Sequence, residues 1–163
     1  MHLYLIRHGI AVDQNTQQPD FYRPLTAKGI HKTQQIAQRL QDLKITFDVL
    51  QTSPLTRAQQ TAEILHQAGL STSIAVSELL SPAGSFSDWL TWLETWRALG
   101  QQHLALVGHQ PNLSEWAEQL IWGTVQQALT LKKAGIIGIT LPEDADPRGR
   151  STLFWLTSPK FLL

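Results

Sequence analysis

The 163-residue chain has no cysteine, which excludes disulfides, thiolate nucleophiles and cysteine-ligated metals. It has no net charge either: thirteen Lys and Arg balance thirteen Asp and Glu, so no overall field favours nucleic acid or an anionic membrane. Any anion site has to be built locally. No apolar run approaches the roughly 20 residues of a membrane span, and Met1 leads into an apolar stretch without the basic and hydrophobic regions of an export signal. The expectation is a cytoplasmic enzyme or binding protein without a membrane or nucleic-acid partner. What is present is ordinary for a globule: 42% apolar residues, and a length that suits one domain over residues 1–163.

Along the chain, strand-like and helix-like segments alternate. Leu3 to Ile6 read as a short buried strand that stops abruptly at Arg7, His8 and Gly9. The polar, Pro-punctuated stretch over residues 13–24 reads as a loop, and Thr26 caps a helix whose Ile36, Ala37, Leu40 and Leu43 keep helical spacing. A second strand at "FDVLQTS" precedes a helix that starts just beyond Pro54 and is closed by Gly69. "TSIAV" is a weaker strand, and Trp89, Trp92, Leu93, Trp96 and Leu99 mark a helix ending at Gly100. "HLALVG" is a fourth strand, followed by a helix from Pro111 to Gly123. The tail differs, since "AGIIGITL" and "TLFWLT" flank a turn-rich segment and read as an antiparallel hairpin at a sheet edge. This order predicts an α/β fold, a three-layer α/β/α sandwich with a mainly parallel sheet.

Ligands bind such sheets outside the carboxyl ends of the strands. Three segments fall there: Arg7-His8-Gly9, Ser53 to Arg57, and Gly108-His109. A lone histidine at a strand end is more often structural than catalytic, and Arg57 alone reads as a surface arginine. Together, two imidazoles and two guanidiniums on one rim are costly unless an anion sits among them. A dianionic phosphoryl group suits the forked donors of arginine, with Gly9 permitting close backbone approach. His2, His31, His66 and His103 are not needed for this and read as surface or packing residues. Zinc fits poorly, because the arginines would repel a dication and no carboxylate is fixed nearby by sequence.

"LIRHG", "SPLTRAQQTA" and "LVGHQP", in that order, resemble the signature segments of the histidine phosphatase superfamily, the phosphoglycerate mutase-like proteins. The short length, "RPLTAKG" and "SELLSPAG" resemble in particular its compact phosphohistidine phosphatase SixA branch, over essentially the whole chain. The resemblance implies a phosphoglycerate mutase-like fold and a metal-independent, cofactor-free phosphatase. It implies that His8 accepts the phosphoryl group, that Arg7 and Arg57 clamp its oxygens, and that His109 completes the pocket. Substrate contacts are expected from Arg7, Gly9, Arg57 and His109.

One position departs from the wider superfamily. Where phosphoglycerate mutases and acid phosphatases carry an acidic donor for the leaving alcohol, the aligned residue is Leu80, and Glu78 lies two residues off. An alkoxide needs that proton, whereas a phosphoramidate with a protonated imidazole leaves as a neutral group. The expected substrate is therefore a phosphohistidine-bearing protein of the phosphorelay or phosphocarrier type, acted on by a monomer. The alternatives are a small-molecule phosphomonoesterase using Glu78 as acid, and a phosphoprotein-binding module without turnover.

Overall fold

A computed structural model describes residues 1–14 and 19–163. Of the polar loop expected after the first strand, residues 15–18 lie outside the described residues. The elements follow the alternation of the sequence: β1 (His2–Arg7), α1 (Ala27–Asp42), β2 (Val49–Thr52), α2 (Thr56–Gln67), β3 (Ile74–Val76), α3 (Phe86–Arg97), β4 (His103–Gly108), α4 (Asn112–Trp122), β5 (Ile136–Thr140) and β6 (Thr152–Thr157). They form one sheet in the order β3-β2-β4-β1-β5-β6. The first four strands of that order run parallel, and β5 and β6 add the antiparallel hairpin at the edge. The α/β/α expectation holds.

Period-two alternation in the central strands explains the three layers. Leu3 and Leu5 of β1 and Leu104 and Leu106 of β4 pack with Trp89, Leu93, Trp116 and Leu120 of α3 and α4. Their neighbours Tyr4, Ile6, Ala105 and Val107 pack on the other face with Ile36, Leu40, Ala58 and Ala62 of α1 and α2. Each buried leucine contributes about 2 kcal/mol, several times a surface ion pair, so this packing fixes where the strand ends fall. Thr26 caps α1 as expected, its Oγ1 accepting from the Gly29 amide at 3.0 Å. Gly69 and Gly123, with φ of +77° and +79°, stop α2 and α4 in the left-handed region where a side chain is strained. Trp89 is fully buried in the core, stacked on Trp116.

Sequence patterning did not show how the chain after α4 is held. Glu118 is 1% exposed, and its two carboxylate oxygens accept the amides of Gln126, Gln127, Ala128 and Leu129 at 2.6–2.8 Å. Burial pushes its pKa up, but the four donors outweigh this and hold it below the usual carboxylate range. The knot fixes the segment that runs past the ends of β1 and β4. Among the described residues no helix is long and apolar enough to cross a membrane.

Candidate active site

Strand order brings the three motif segments together. β4 lies between β2 and β1, with Thr52 opposite Val107 and Arg7 opposite Gly108. The next residues, Ser53, His8 and His109, therefore leave the same end of three adjacent parallel strands. The His8 amide donates to the Gly108 carbonyl at 3.1 Å and the Ser53 amide to the Val107 carbonyl at 3.0 Å. Arg57 enters from the first turn of α2.

His8 is buried, and its ring lies 5.2 Å from that of His109, centroid to centroid. Its Nδ1 sits 2.7 Å from the Gly9 carbonyl, which can only accept, so Nδ1 carries the proton and Nε2 keeps its lone pair. The Arg57 Nε–H points at that nitrogen from 3.3 Å. Burial is the largest cause that pushes the His8 pKa down, to about 3, the Gly9 hydrogen bond opposing it and the charges of His109, Arg57 and Arg7 adding to it. The His109 pKa falls to about 4, again chiefly through burial and then through Arg57. Burial is thus a larger cause of the neutral state than the neighbouring guanidiniums, which are the cause the sequence suggests.

Ser53 holds His109: its hydroxyl accepts the Leu55 amide at 3.3 Å and lies 2.8 Å from His109 Nε2. Among the described residues the buried Nδ1 of His109 has no partner, and neither has the buried Nε of Arg7, while Nη1 of the same guanidinium donates to the Leu131 carbonyl at 2.9 Å.

Asp20, in the loop before α1, is the residue that sequence reasoning missed. Its carbonyl accepts from Arg57 Nη1 at 2.8 Å, and its carboxylate takes Arg57 Nη2 at 3.0 Å and Arg23 Nε at 2.9 Å. Partial burial pushes its pKa up, but the two arginines outweigh this and keep it ionised. The only hint in the sequence is the i,i+3 spacing of Asp20 and Arg23.

Gly9 has a different task from the one expected. Its amide donates to Thr61 Oγ1 at 3.0 Å and its carbonyl is taken by His8, so neither polar group is free for substrate. A Cβ there would lie 2.6 Å from Thr33 Oγ1 of α1, so the missing side chain serves helix packing and the tautomer of His8. Glu78 is exposed and its carboxylate makes no hydrogen bond or ion pair among the described residues, and Leu80 is buried in the core cluster under α3 and α4.

The two depressed histidines give the fold a pH signature. Each imidazole binds its proton more weakly when folded, so the unfolded chain holds more protons between the two pKa values, and stability is lost as pH falls below about 6.5. The loss reaches up to about 1.4 kcal/mol per pH unit for each histidine. Urea midpoints measured from pH 7 to about 4.5, above the range of ordinary carboxylates, should fall steeply for the wild type and much less for the His8→Gln/His109→Gln double variant. Equal slopes would contradict the buried neutral pair.

An α/β sandwich with neutral imidazoles and guanidiniums gathered at the carboxyl ends of its parallel strands is the architecture of a phosphoryl-handling enzyme. Comparison with known proteins agrees. The family described as histidine phosphatase superfamily (branch 1) matches residues 3–81. An uncharacterized protein of Picosynechococcus sp. is 49% identical over 164 residues, covering all of this chain and 99% of the relative. The phosphohistidine phosphatase SixA of Escherichia coli is 27% identical over 160 residues, covering 98% of this chain and 94% of the relative. The structure of the protein histidine phosphatase SixA complexed with tungstate superposes with a TM-score of 0.87 at 26% identity, over the full length of both chains. The chain belongs to the histidine phosphatase superfamily.

Proposed function

We propose that the protein is a metal-independent phosphohistidine phosphatase that takes the phosphoryl group from a histidine on another protein. The observation that carries the substrate class is the lack of a usable acid. Asp20, the carboxylate at the cluster, is held ionised by Arg57 and Arg23, Glu78 is exposed and unconnected, and Leu80 is buried. The same donor set disfavours a divalent metal, since among the described residues the carboxylate at the cluster, Asp20, already belongs to two guanidiniums.

The chemistry then balances without an external acid. The Nε2 lone pair of His8 attacks phosphorus while the P–N bond of the substrate breaks, and its electrons return to an imidazole protonated at its other nitrogen, which leaves neutral. The phosphorylated His8 ring keeps its Nδ1 proton on the Gly9 carbonyl, which stabilises the positive charge the ring acquires. Water then displaces the phosphoryl group, its proton leaves with inorganic phosphate, and His8 regains its lone pair. Arg7 Nε–H, buried and without a partner among the described residues, is a donor for the phosphoryl oxygens, and His109 is a second in the tautomer protonated at Nδ1, which is likewise without a partner among the described residues. SixA, the relative solved with tungstate, accommodates an oxyanion of the same tetrahedral shape.

A leaving-group series tests this reading. Phosphohistidine protein and phosphoramidate should be hydrolysed fast, activated aryl phosphates more slowly, and phosphoserine or phosphoglycerate at least about 100-fold more slowly than phosphohistidine. Glu78→Gln should change none of these rates appreciably. Competitive hydrolysis of alkyl esters, lost selectively in Glu78→Gln, would establish the phosphomonoesterase instead.

A further inference from the structure

A cavity of about 430 Å³ opens beside Arg7, between α1, the turn before β5 and the chain after β6. Its lining includes Arg7, Lys32, Lys132, Lys133 and Lys160, and contains no Asp or Glu. Among the described residues none of these lysines forms an ion pair. In a chain with equal numbers of acidic and basic residues, such a gathering is a local construction rather than a consequence of net charge. Four lysines without a carboxylate partner, one of them with its ammonium 4.7 Å from the Phe161 ring, make a positive surface that an anionic partner complements.

The groove is also tied to the reaction centre. Arg7 holds the Leu131 carbonyl, and the Ala134 amide donates to the carbonyls of both Arg7 and His8 at 3.0 and 3.1 Å. Lys132 and Lys133 sit between those two anchors. The turn they occupy is strained: Ala134 has φ of +58°, a left-handed conformation that side chains disfavour.

We infer that this lysine groove docks an acidic segment of the protein that carries the phosphohistidine, placing its carboxylates on Lys32, Lys132, Lys133 and Lys160 while the phosphoryl group reaches His8. This rests on the phosphatase reading above and specifies the partner's chemistry. An acidic polypeptide fits better than a nucleic acid, because the lining offers four lysines and no aromatic side chain, and the ring of the neighbouring Phe161 is taken by the Lys160 ammonium at 4.7 Å. Opposite charge on the partner would raise the encounter rate and be screened by salt.

The test uses two synthetic peptides, each with one histidine phosphorylated by phosphoramidate, flanked by glutamates in one and by glutamines in the other. At low salt the wild type should favour the glutamate peptide in kcat/KM by about tenfold or more, mainly through KM. The preference should fall to within about twofold at 0.5 M salt and in the Lys32→Gln/Lys132→Gln/Lys133→Gln/Lys160→Gln variant. Equal rates at low salt, or a preference that survives in the variant, would overturn the docking role. If neither phosphopeptide is hydrolysed while aryl phosphates are, the phosphohistidine reading fails. Fluorescence anisotropy with the unphosphorylated peptides then still decides the groove, which should hold the glutamate peptide and lose it in the quadruple variant. Tighter binding of a single-stranded oligonucleotide of equal charge would assign the groove to nucleic acid and overturn the proposal.

Discussion

Replacing His8 by alanine is expected to lower kcat/KM on a phosphohistidine substrate by at least about 10⁴-fold, equivalent to roughly 5.5 kcal/mol of transition-state stabilisation. The proposed mechanism passes through a covalent bond to Nε2, and no neighbouring group is built to replace it. His109 is also neutral and buried, but its Nε2 is already engaged by the Ser53 hydroxyl at 2.8 Å. Asp20 is ionised but is held by two arginines. The alanine variant should remain folded while stability rises at mildly acidic pH, because one of the two imidazoles that resist protonation is gone. Turnover near the wild-type rate would show that the nucleophile lies elsewhere.

Arg57→Ala should cost about 10³-fold in kcat/KM, near 4 kcal/mol, and Arg57→Lys about 100-fold. In the proposed mechanism the guanidinium does three things from one position: its Nε addresses the nucleophilic nitrogen, its Nη atoms are set by Asp20, and its charge would stabilise the phosphoryl group on that nitrogen. Lysine retains only the charge. Because a phosphoryl oxygen bears charge in both ground and transition states, part of the effect should appear in KM and part in kcat. An effect under threefold for both substitutions would remove Arg57 from the pocket.

The sheet and the four motif residues were legible because they rest on local signals. The unbroken apolar runs "LYLI" and "LALV" mark strands buried on both faces, and the abrupt change to Arg7-His8 and Gly108-His109 marks the strand ends. Contacts that join distant segments were not. Asp20 meets Arg57 across 37 positions, from a stretch that reads only as a polar loop. Glu118 binds amides eight to eleven residues later, and backbone donors leave no pattern in side-chain types. Ser53 was visible as a turn residue, but its hold on His109 depends on strand order. Gly9 was read as space for substrate, when the space is filled by Thr33 of α1. The lysine groove draws on residues 7, 32, 132, 133 and 160, which only the fold brings together.

The most direct measurement is to trap the enzyme during turnover of a radiolabelled phosphohistidine protein, by rapid denaturation in base, and to locate the label by mass spectrometry. The account predicts one acid-labile, base-stable phosphoryl group per chain, carried on Nε2 of His8 and missing from His8→Ala. Label on His109, an acid-stable linkage, or brisk turnover with no covalent intermediate would contradict it.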